Sequence, residues 1–134
     1  METFLVVGLG NPGSRYANTR HNAGTDFVHM LCEKYDVELT EKKKYKASIG
    51  KFLLKDMEVI LSIPTLFMNQ SGKSVAPTVK GENIKLKNLL VVHDDLDLPS
   101  GTCKLKDGGG DGGHNGLKSI IESLGGKKGF KRMR

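Results

Sequence analysis

No stretch of this sequence is long and apolar enough to cross a bilayer. Its longest apolar runs, such as residues 4–7 and 89–92, fall far short of the roughly 20 residues that a spanning helix needs. The first residues enter a strand-like run directly, without the charged, apolar and cleavage regions of a signal peptide, so a cytoplasmic setting is expected. Cysteine is scarce. Cys32 and Cys103 are isolated and form no CxxC, and a chain of this size folds without a disulfide, so reduced thiols are expected and neither reads as a nucleophile. There is no internal repeat. The nearest approach to a metal-ligand cluster is His93, Asp94, Asp95 and Asp97, whose spacing follows no ligand template, and no metal is expected.

What is present fits one compact domain of 134 residues, spanning the whole chain. Hydrophobic residues make up 37% and charged residues 27%, enough apolar material for a packed core. The net charge of +6 and the pI near 9.3 suit either a polyanionic partner or a solvated basic surface.

Residues 3–9 form a β-branched, apolar run that ends in Gly8, Gly10, Pro12 and Gly13, which predicts a buried strand and a tight turn. Across residues 21–35 the apolar side chains Phe27, Val28, Leu31, Cys32 and Tyr35 recur at helical spacing, with Asn18 or Thr19 available as a cap. A basic connection at residues 42–46 leads to a hairpin of residues 49–54 and 57–63 around Lys55-Asp56, stopped by Pro64. A short helix at 71–80 contains Pro77, and residues 88–93 read as another buried strand. The glycine loop 108–113 opens a helix at 116–124, whose Leu117, Ile120, Ile121 and Leu124 share one face and which Gly125-Gly126 terminates. The predicted class is α/β: a single domain with a twisted, mixed β-sheet flanked by helices.

Gly8, Gly10 and Gly13 match GxGxxG after a strand. Nucleotide binding is nevertheless disfavoured, because residues 14–20 separate the turn from the helix and no acidic strand end follows at the required spacing. The polar residues beyond predicted strand ends form a better pattern, since open α/β sheets bind ligands outside the carboxyl edge of their strands. Asn11, Asn69 and Asp94 each follow a strand, and His114 and Asn115 emerge from the glycine loop at a helix start. Singly, Asn11 also suits a turn, Asn69 and Asn115 suit helix caps, and Asp94 suits a surface acid. His21 stands near the first helix N-terminus, where the helix dipole favours a neutral imidazole able to accept a proton from water. As a lone residue it also suits a cap. A carboxylate such as Asp94 could fix its tautomer if the fold brings the two together.

The ordered segments GLGNPG with Tyr16 and RHNAG, then PTLFMNQSG, HDDLDLP and GGGDGGHNG, closely resemble the bacterial-type peptidyl-tRNA hydrolase family from about Leu5 to Arg134. The resemblance implies a monomeric esterase without metal or cofactor that frees tRNA from prematurely released peptidyl-tRNA. It assigns His21 as the base activating water, Asp94 as the acid orienting it, and Asn11 as the group distinguishing peptidyl-tRNA from aminoacyl-tRNA. Phe67, Met68, Asn69, His114 and Asn115 fall at substrate-binding positions, Tyr16 at a tRNA contact, and Lys104, Lys106 and Arg134 at positions expected to grip phosphate. Asn amides offer both donors and acceptors to a peptide backbone and to a developing oxyanion. In the family, the segment resembling residues 130–134 continues into a further strand and a C-terminal helical region, and this C-terminal part of the fold is expected to be missing here. The alternatives are a non-catalytic RNA-binding relative with the same fold, or an inactive truncated form.

Overall fold

A computed structural model of the chain describes residues 2–10, 22–94, 105–108 and 114–133. Seven strands form one mixed sheet: β1 (Glu2–Gly8), β2 (Thr40–Lys42), β3 (Ala47–Leu54), β4 (Met57–Pro64), β5 (Leu89–Val92), β6 (Leu105–Asp107) and β7 (Lys131–Met133). Their spatial order is β2-β3-β4-β1-β5-β7-β6. β1 runs parallel to both β4 and β5, and β5 runs parallel to β7. The pairs β2/β3, β3/β4 and β6/β7 are antiparallel. The helices are α1 (Ala23–Tyr35), α2 (Gly72–Gly81) and α3 (Asn115–Ser123), with short 3-10 turns at Met68–Gln70 and Leu86–Asn88.

Side-chain alternation divides the core between the two sheet faces. On one face Leu5 and Val7 of β1, Ile60 of β4 and Leu89 and Val91 of β5 pack with Val75 of α2 and Leu117, Ile120 and Ile121 of α3. On the other, Val6, Val59, Leu61 and Val92 meet Val28 of α1. This explains why β1 and β5 read as continuous apolar runs: both of their faces are covered. Pro77 lies inside α2, where it removes one backbone donor without ending the helix.

The long elements fall within about two residues of the sequence expectation. Three short strands were not anticipated. β2 precedes the basic connection and shares only Lys42 with it, β6 stands just before the glycine loop, and residues 131–133, read only as a lead toward a further strand, already form β7 between β5 and β6. Strands of three residues carry too little alternation to register as a pattern. The chain crosses from β1 to α1 at close quarters. A Cβ on Gly24 would collide with the backbone oxygen of Val92 and with the backbone of Leu9, so only glycine lets the start of α1 sit on the carboxyl ends of β1 and β5.

Candidate active site at the carboxyl edge of the sheet

β5 delivers His93 and Asp94 to the carboxyl edge, and both are buried at 5% exposure. The neighbouring strands bind this end from both sides: Leu9 N–H donates to Val92 O at 2.9 Å, and His93 N–H donates to Met133 O at 2.9 Å. A charged or polar group held so deeply requires partners. Asp94 has one in His114, whose Nε2 lies 2.8 Å from Asp94 Oδ1.

His114 is also the N-cap of α3. Its Nδ1 accepts from the N–H groups of Gly116 at 3.1 Å and Leu117 at 3.3 Å, satisfying two of the donors that a helix start leaves without intrahelical partners. An accepting Nδ1 carries no proton, so the ring proton sits on Nε2 and is donated to Asp94. The imidazole therefore links the acid at the end of β5 to the backbone of α3. A side chain on Gly116 would meet Leu9 Cδ1 and Met68 Sδ at 2.9 Å and His114 Cε1 at 3.0 Å, so this glycine marks where the ends of β1, the segment after β4 and the start of α3 converge.

His93 has a different environment. Its Nδ1 is 2.7 Å from the backbone oxygen of Asp94, which makes Nδ1–H the donor, while the buried Nε2 has no partner among the described residues. Burial above all, together with the nearby His114 and Arg132, pushes its pKa down to about 4, so the ring is neutral near pH 7. It meets the His114 ring edge-on, with centroids 4.7 Å apart and planes at 65°. Arg132 of β7 is also buried and donates from Nη2 to Gly108 O at the mouth of the glycine loop.

The residues after β4 complete the described part of the site. Met68 is buried, and its backbone oxygen accepts from Ser71 Oγ at 2.7 Å, which tightens the 3-10 turn. Phe67, Asn69 and Asn115 are exposed at its rim. The fold sets Met68 and His114 around Gly116 and bonds His114 to Asp94, with Asn69 exposed on the 3-10 turn and Asn115 exposed at the first residue of α3. It places Lys106 in β6. Asn11, Tyr16, His21, Lys104 and Arg134 lie outside the described residues.

Three features escaped the sequence reading. His114 was placed at a helix start as a substrate-binding residue, but its bond to Asp94 depends on a contact across 20 residues that no local pattern encodes. His93 was weighed only as a metal ligand, and among the described residues no group of three His, Cys, Asp or Glu side chains is placed to hold a metal ion. Arg132 also went unnoticed. A single arginine in a three-residue strand resembles a surface residue until the strands on both sides are known. Among the described residues, no helix is long and apolar enough to cross a membrane.

A family model described as peptidyl-tRNA hydrolase matches residues 5–134. The peptidyl-tRNA hydrolase of Haemophilus influenzae strain 86-028NP is 49% identical over 133 residues, covering 99% of this chain and 69% of that protein. The one from Tolumonas auensis is 53% identical over 130 residues, covering 97% of this chain and 66% of that protein. The crystal structure of peptidyl-tRNA hydrolase from Acinetobacter baumannii superposes with a TM-score of 0.93 at 44% identity, covering 98% of this chain and 66% of that one. The chain thus spans about two thirds of the length of these relatives. Matched along almost all of its own length by sequence and by fold, the chain belongs to the peptidyl-tRNA hydrolase family.

Proposed function

We propose that this chain hydrolyses the ester joining peptide to tRNA in peptidyl-tRNA, and that His21 is the general base. The observation that carries the reading is the buried Asp94–His114 pair at the carboxyl edge, within a chain of this family. His21 immediately precedes Asn22, which is buried, and α1 enters against Val92 and Leu9.

In this mechanism His21 removes a proton from water as the oxygen attacks the ester carbonyl. Asp94, already bonded to His114 through Oδ1, orients the imidazole and stabilises the imidazolium that forms. Collapse of the tetrahedral intermediate breaks the bond to the ribose oxygen, which takes the proton from His21 and leaves as the tRNA hydroxyl. Amide N–H groups of Asn69 and Asn115 at the rim stabilise the developing oxyanion and hold the peptide backbone. Asn11 discriminates a peptide from a free amino group. Met68 and Phe67 line the way to the ester, while Tyr16, Lys104, Lys106 and Arg134 contact the tRNA. Cys32 takes no part as a nucleophile, since burial raises the pKa of its thiol. The chain acts as a cytoplasmic monomer without a cofactor.

Cleavage of an N-blocked aminoacyl-tRNA tests the reading. His21→Ala is expected to lower the rate by about a hundredfold or more, the usual scale of a general base. A rate equal to that of the parent refutes the assignment, and tRNA binding with no cleavage by the parent favours a non-catalytic RNA-binding protein.

A further inference from the structure

Half of the net positive charge of the chain resides in six residues. Residues 41–46 carry four lysines against one glutamate, a net three of the net six. They form a hydrogen-bonded turn. Tyr45 N–H donates to Lys42 O at 3.0 Å, Lys46 N–H to Lys43 O at 3.2 Å, and Thr65 N–H to Lys46 O at 2.9 Å. Lys46 closes the turn in the left-handed region, with φ of 50°.

Tyr45 anchors the turn. Its ring is buried, and its hydroxyl donates to Glu82 Oε2 at 2.5 Å, a bond that raises the Tyr45 pKa and lowers that of Glu82. The lysines around it face solvent, and Lys44 holds its ammonium 4.8 Å from the centre of the Tyr45 ring. Glu82 receives hydrogen bonds from Tyr45 and from Lys51, the latter at 3.1 Å. Among the described residues, Lys42, Lys43 and Lys46 form no ion pair.

Strand register fixes where this turn projects. Ala47 of β3 pairs with Pro64 of β4, so the turn extends beyond the carboxyl end of β4, the same end at which Asp94 follows β5. β4 and β1 separate β3 from β5, three strand spacings of roughly 4.8 Å, or about 14 Å. Lys106 belongs to the opposite edge of the sheet, beyond β5 and β7. The turn and β6 therefore lie on opposite sides of β5 in the sheet.

Exposed cations carried on one hydrogen-bonded turn, three of them outside any ion pair, suit phosphates, because each phosphate neutralised releases a counterion. Its one aromatic side chain is buried, which leaves the turn to read a backbone and not bases. We propose that residues 42–46 form a second phosphate-binding surface for the RNA part of the substrate, on the side of the site away from β6 and β7. This deepens the peptidyl-tRNA reading and rests on it.

The test compares Lys42→Gln/Lys43→Gln/Lys44→Gln with Lys55→Gln/Lys85→Gln/Lys87→Gln, which removes the same charge from the opposite end of the sheet. Fluorescence anisotropy with deacylated tRNA, from about 50 to about 200 mM KCl, gives Kd and its salt slope. The turn variant is expected to weaken binding about tenfold or more at the lower salt and to make the slope shallower by about 2, from 0.7–0.9 per phosphate contact. The control variant is expected to change Kd less than about threefold, and Lys→Arg at the three turn positions to restore binding. Equal losses in both variants, no loss in either, or displacement by polyglutamate as effective as by tRNA overturns the proposal. Cleavage followed in parallel separates the two readings. A parent that binds tRNA through the turn without cleaving refutes only hydrolysis, a parent that cleaves with affinity indifferent to the turn refutes only this surface, and a parent without tRNA affinity overturns both.

Discussion

Beneath α2 and α3, the sheet buries Leu5, Val7, Ile60, Leu89, Val91, Ile120 and Phe130 at 0–1% exposure, whereas beneath α1 only Val28 and Leu61 reach that level. Around those two, Phe27, Leu31, Phe52, Leu90 and Met133 remain partly open, and Phe4, Val6, Val59, Leu90 and Leu105 line an apolar hollow. The candidate site belongs with the tighter face. Met68 is part of that core, and the His114 cap begins the helix whose Leu117, Ile120 and Ile121 fill it. Close packing holds side chains in single rotamers, and a catalytic acid needs a fixed direction more than it needs exposure. The α1 face covers the other side of the sheet with less precise packing, while the start of α1 meets the site through glycine.

The largest expected effect contrasts truncations on the two faces. Phe130→Ala should cost about 3–5 kcal/mol, because it opens a cavity in a packed core. Leu31→Ala, at a partly exposed position, should cost less than about half of that, measured by denaturant unfolding. Equal costs would erase the distinction between the faces.

Next in size is the pH response of His93. Its folded pKa of about 4 lies below the ordinary 6.5, so between those values the unfolded chain binds the extra proton and stability falls as pH falls. The loss is complete below about pH 4 and amounts to about 3 kcal/mol, at 1.36 kcal/mol per pKa unit. His93→Gln should flatten that part of the stability curve. An unchanged slope would show that the ring is not buried as neutral imidazole.

A smaller change is expected at the cap. His114→Ala should destabilise the fold by about 1–2 kcal/mol through loss of the α3 cap and of the hydrogen bond to Asp94. His114→Asn, which can still cap, should recover part of the stability without restoring the link to Asp94. Thermal melts of the two variants check this, and identical melting temperatures would remove the cap from the account.

Much of this arrangement was legible in the sequence because the long elements follow regular periods. The apolar face of α3 and the continuous runs of β1 and β5 announced their burial, and Asp94 stands just after β5, at the end of a strand as its sequence context suggested. The bond between Asp94 and His114 was not legible, since it depends on α3 starting opposite the end of β5. Nor were β6 and β7, whose three residues each carry too little alternation to register as strands. The lysines of residues 42–46 were plain as composition, and only the pairing of Ala47 with Pro64 shows at which end of the sheet they project.

The central claim is that the carboxylate of Asp94 directs the base. Single-turnover cleavage of N-blocked aminoacyl-tRNA by Asp94→Asn tests it most directly, because the amide preserves shape while removing charge and one acceptor. A fall in the chemical rate of about a hundredfold or more, with tRNA affinity retained, is expected. A chemical rate within about threefold of the parent would contradict it.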